Sequence, residues 1–94
     1  MSFINSTNIE TCITNAPIGY LINVLKNEGY EVIKSNLQVT ATYKPFLSSY
    51  ASTITILDKG EYRECSDTET ATGLLIKPRT GILAQIVKKA EQMM

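Results

Sequence analysis

The chain of 94 residues contains no histidine and no tryptophan. Without an imidazole there is no Ser-His or Cys-His nucleophile pair and no histidine general base. A zinc site would have to be built from cysteine and carboxylates alone, which is rare. Cysteine is scarce as well. Cys12 and Cys65 stand 53 positions apart, and neither lies in a CxxC or other metal-ligand spacing. In a reducing setting each is most simply a small apolar residue, with a disulfide as the alternative. Long apolar runs are missing too. The longest uncharged stretch, 11–25, has 15 residues and contains two asparagines and a proline, short of a membrane span. The opening MSFINSTNIE has neither a basic nor an apolar signal region, so the expectation is a soluble, cytoplasmic protein that does not enter a membrane.

What is present is an ordinary globular composition. The apolar share of 44% suits a soluble fold, and the length suits one domain over 1–94. Net charge is zero but unevenly spread. Residues 58–69 carry Asp58, Glu61, Glu64, Asp67 and Glu69 against Lys59 and Arg63, a balance of −3. Residues 73–94 carry Lys77, Arg79, Lys88 and Lys89 against Glu91, a balance of +3. A dedicated duplex binder has a clear basic excess, which this chain lacks.

Periodicity orders the elements. Thr7-Asn8-Ile9-Glu10 matches a capping box and suggests a short helical turn over about 8–14. Asn15-Ala16-Pro17 then reads as a helix start, with Asn15 as cap and Pro17 in the first turn. Ile18, Leu21, Ile22 and Leu25 repeat at helical spacing, and Gly29 suits a left-handed stop, so a helix is expected over about 16–28. YEVIK (30–34) follows as a short strand. Were it to continue the helix past Gly29, the N-terminal third would be all helical. LQVTATYK (37–44) alternates as a half-buried strand, with Ser35-Asn36 as hairpin turn or bulge. STITIL (52–57) is a strand by its β-branched content. Asp58-Lys59-Gly60 reads as a three-residue loop, returning through EYREC (61–65) with Ile56 facing Tyr62 and Ile54 facing Glu64. A turn at 66–68 then leads to a last strand at 69–77, with Gly73 as a bulge. Pro78 stops that strand. Residues 80–92 form a helix with Ile82, Leu83, Ile86, Val87 and Ala90 inward. The expected fold is therefore α+β, in the order α-β-β-β-β-β-α: an antiparallel sheet of about four to five strands with an N-terminal and a C-terminal helix.

Three segments compete as sites. Lys77, Arg79, Thr80 and Gly81 place two cations, a hydroxyl and an open backbone before a helix, a pattern suited to an anion or small anionic ligand. The plainer account is a strand stop followed by a helix cap, and no P-loop pattern supports more. The five tyrosines could stack bases only from the solvent side of a sheet, whereas Tyr43 shares the Leu37-Val39-Ala41 side. The acidic segment 58–69 could attract a basic partner or supply an acid/base pair, but its neutral context and turn position favour a solvated hairpin. No cofactor is called for. The chain reads as a small non-catalytic protein-interaction module, homo-oligomeric, with a protein partner, in the manner of phage or mobile-element accessory proteins or inhibitors. The alternative is an anion, nucleotide or nucleic-acid binder working through the Lys77–Arg79 turn.

Overall fold

The computed structural model describes residues 4–44, 50–72 and 81–94. Its chain order is β1 (Ile4–Thr14), α1 (Ile18–Asn27), β2 (Glu31–Ser35), β3 (Gln38–Tyr43), β4 (Tyr50–Asp58), β5 (Arg63–Thr72) and α2 (Ile82–Gln92). The five strands form one antiparallel sheet in the order β1-β5-β4-β3-β2. The expected class, an α+β fold with an antiparallel sheet and two helices, stands. The order differs at the front, where a strand precedes the first helix.

Residues 8–14 are strand, not a helical turn. Ile9, Thr11, Ile13 and Thr14 are β-branched, and pairing with β5 satisfies the backbone over far more residues than one capped turn could. A bulge between Asn8 and Glu10 shifts the register there. The helix start is also built differently from the expectation. Pro17 occupies the cap position without a side-chain bond, and the organising hydroxyl belongs to Thr14 rather than Asn15. Thr14 Oγ1 accepts from the Ala16 N–H at 3.0 Å and donates to Glu91 Oε2 at 2.8 Å, tying the β1–α1 junction to α2.

The α1 stop follows its sequence signal. Gly29 has φ 94°, Tyr30 N–H donates to Leu25 O at 3.0 Å, and Gly29 N–H donates to Lys26 O at 3.1 Å. These two bonds make a Schellman stop, which frees the chain to enter β2 directly. The β2–β3 connection is a hairpin with Asn36-Leu37 at its tip, Ser35 facing Gln38, and Asn36 at φ 56°. Asparagine tolerates this left-handed conformation better than most residues.

The β4–β5 hairpin departs most from expectation. Asp58 pairs Arg63 across a four-residue connection, so Ile56 faces Cys65 and Ile54 faces Asp67, not Tyr62 and Glu64. Gly60 does supply the left-handed residue, at φ 94°. The shift has a visible anchor. Asp58 Oδ1 accepts from the Gly60 N–H at 3.0 Å and pairs with Arg63 Nε at 3.3 Å. Arg63 Nη1 also reaches Asn15 O at 3.1 Å, and its Nη2 reaches Gly60 O at 2.9 Å. No turn occurs at 66–68. β5 runs straight through, since 63–72 holds neither glycine nor proline to break the ladder. The expected bulge at Gly73 and the strand stop at Pro78 lie outside the described residues.

Both helices pack on one face. Val39, Ala41, Ile54, Ile56 and Cys65 point inward from the sheet and are buried against Leu21, Val24 and Leu25 of α1 and Leu83, Ile86, Val87 and Ala90 of α2. Tyr43 is on this inward side, as its alternation implied, with its ring 5.4 Å from that of Tyr30. Lys89 of α2 pairs with Glu28 at the end of α1.

Candidate interaction surface

The opposite face of the sheet is the feature that the described residues leave without a structural role. Its outward positions follow from the register. One row runs Ile13, Glu64, Leu57, Gln38, Ser35 across all five strands. The next runs Thr11, Ser66, Thr55, Thr40, Ile33, and a third runs Thr68, Thr53, Thr42, Glu31. The middle is a patch of threonine and serine hydroxyls and methyls. Ile13 is 65% exposed, Ile33 69% and Leu57 37%. Leu37, at the β2–β3 tip, is 65% exposed. Two shallow hollows flank Leu57. One, of about 500 Å³, is bordered by Thr11, Ile13, Thr55, Glu64 and Ser66; the other, of about 490 Å³, by Leu37, Gln38 and Asp58.

The charges of this face sit at its rim. Glu64 is in the last outward row before the β4–β5 turn, and Glu31 begins the edge strand. Among the described residues the outward positions of the three rows hold no aromatic ring.

The acidic segment 58–69 is not one surface. Asp58 is engaged by Arg63, Glu61 is exposed in the turn, Glu64 points outward, and Asp67 is buried. The expected turn at 66–68 would include Asp67. Instead it sits mid-strand on the inward face, 1% exposed, accepting from Ser52 Oγ at 3.0 Å. Glu10, half-buried, is its register partner on β1. The sequence signal was the alternation Arg63, Cys65, Asp67, which shares a face with the apolar Cys65. The Ser52 hydroxyl satisfies one Asp67 oxygen, while Glu10 Oε1 is buried without a hydrogen-bond partner among the described residues.

Of the turn Lys77, Arg79, Thr80 and Gly81, only Gly81 is among the described residues. It has φ 85° and directly precedes α2, where its carbonyl accepts from Gln85 N–H at 3.1 Å. The proposed anion contacts of Lys77, Arg79 and Thr80 lie outside the described residues.

The two thiols, far apart in sequence, are brought together. Cys12 and Cys65 are direct partners in the β1–β5 register, and both are free. Burial, the neighbouring Cys12 and their mutual hydrogen bond push the Cys65 thiol up to about 12. The Cys12 thiol is also raised, by burial first and then by the charge of Glu10.

No family model matches the chain, and no curated protein matches it. Among the described residues no group of three or more Cys, Asp or Glu is placed to hold a metal ion, and no helix is long and apolar enough to cross a membrane.

Proposed function

We propose that this protein is a small interaction module that works by surface recognition rather than by catalysis, and that the open sheet face is its contact surface. The observation that carries this reading is the exposure of Ile13, Ile33, Leu37 and Leu57 around an uncharged Ser/Thr centre. Core-neutral, rim-charged patches suit protein contacts. Several described carboxylates have structural duties instead: Asp58 with Arg63, Asp67 with Ser52, Glu91 with Thr14, Glu28 with Lys89.

The sheet edges are poorer contact surfaces. β1 carries a bulge, and β2 is only five residues long with Glu31 and Lys34 exposed on it. Both are devices that discourage strand addition. Among the described residues the face has no such protection.

A second copy of this chain is the partner we assign. Five strands spaced about 4.8 Å apart and three outward rows about 6.8 Å apart cover roughly 24 by 20 Å. Two such faces stacked together remove on the order of 1,000 Å² from water, at the threshold of a specific interface. The expected dimer is therefore transient, in the micromolar range. An accessory or inhibitory role toward another protein would use the same face. Light scattering across a concentration series tests the assignment. A weight-average mass rising from one chain toward two supports it, and a strict monomer into the high micromolar range refutes it.

A further inference from the structure

We propose that Cys12 and Cys65 are a modification site, forming a reversible intramolecular disulfide that staples strand β1 to the body of the sheet. The proposal is independent of the interaction reading. β1 is an edge strand whose one strand neighbour is β5. Cys12 and Cys65 lie directly opposite in that pairing, both on the inward side. Each thiol perturbs the other, as side chains that face one another across a strand pair do. Directly opposed antiparallel residues have Cα atoms about 4.5 or 5.5 Å apart, and either value falls within the span a disulfide accepts.

The reaction requires an oxidant, and a small-molecule disulfide such as oxidised glutathione is sufficient. Cys65 is 2% exposed and Cys12 half-buried, so the oxidant meets Cys12 first. The Cys12 thiolate attacks one sulfur of the small disulfide, giving a mixed disulfide and releasing one thiol. The Cys65 thiolate then attacks Cys12 Sγ, forming the Cys12–Cys65 bond and releasing the second thiol. Two protein S–H bonds are lost, and the oxidant takes up both electrons and both protons. Because burial disfavours both thiolates, the forward reaction is slow near neutral pH. Both cysteines border the same hollow as Thr11, Ile13, Glu64 and Ser66.

The closed loop spans most of the chain, so the staple removes much freedom from the unfolded state. The expected gain is roughly a thousand-fold in the unfolding equilibrium. For a domain this size that raises the melting midpoint by on the order of 20 °C.

The test uses the full chain, folded and fully reduced, incubated with oxidised glutathione at mildly alkaline pH until its intact mass stops changing. The expected product has lost two hydrogens and retains no glutathione. Proteolysis without reductant then yields a peptide pair joined through Cys12 and Cys65, and a thiol reductant reverses both changes. Cys65→Ser should instead retain one glutathione on Cys12. Cys12→Ser, which leaves the buried Cys65 in the core, should stay unmodified while folded. Wild type that ends with unreacted thiols or stable glutathione adducts overturns the proposal. So does an oxidised protein that melts no higher than the reduced one.

Discussion

Replacing Ile13 and Leu57 together by threonine removes the largest apolar side chains from the row of the open face that ends at the β4–β5 turn. Threonine keeps the β-branched character of a strand and matches the hydroxyl rows alongside, so the monomer fold should survive. Complete burial of an aliphatic side chain is worth about 1.5–3 kcal/mol. Ile13 has 65% of its surface still to bury and Leu57 has 37%. Scaled by those fractions, and allowing for the methyl that threonine retains, the loss is about 1–2 kcal/mol per copy. A symmetric dimer doubles it to about 2–4 kcal/mol, a weakening of Kd between roughly thirty-fold and a thousand-fold. Sedimentation equilibrium over a wide concentration range measures this directly, with circular dichroism confirming that the variant is folded. If the double variant dimerises as tightly as wild type, the open face is not the contact, and the reasoning from exposure and row register is wrong.

Three further outcomes follow from the packing. Gly29→Ala forces a side chain into the left-handed region at φ 94°, with its Cβ 3.5 Å from the Tyr43 ring, and should cost about 1–2 kcal/mol in urea denaturation. Asp67→Ala strands the Ser52 hydroxyl in a buried site and should cost about 1–3 kcal/mol, whereas Asp67→Asn keeps an acceptor and should cost less. The reduced protein should also lose stability with rising pH. Since the folded Cys65 thiol is raised from 9.0 to about 12, the native state holds its proton more tightly than the unfolded chain does. That contribution is fully present below about pH 9 and declines as pH climbs toward 12. Thermal unfolding across this window should show a smaller decline in Cys65→Val than in wild type, and equal slopes would refute the assignment.

The helices were legible from the sequence because their signals are local. Ile18, Leu21 and Leu25 repeat at helical spacing, Gly29 closes the Schellman stop, and Leu83, Ile86, Val87 and Ala90 mark one stripe. The hairpin strand at 38–43 was legible because alternation reports a half-buried strand wherever its partners lie. The N-terminal strand was hidden. Thr7-x-x-Glu10 is a genuine capping pattern, and only the presence of β5 makes the extended form the better use of those backbone groups. The rows of the open face required a register that no local signal defines.

Alone, the sequence determined the class of fold, the α1 stop at Gly29 and the absence of imidazole chemistry, for these depend on residue type and short-range geometry. The tertiary structure decided three things. It carried β5 straight through Ser66-Asp67-Thr68, burying an aspartate that local rules place on a turn. It set Cys12 against Cys65 from 53 positions away. And, among the described residues, it left one sheet face open while both helices covered the other. The physical reason is common to all three: strand partners are chosen by pairing across the whole chain, and a shift of one residue reverses which side chains meet the core.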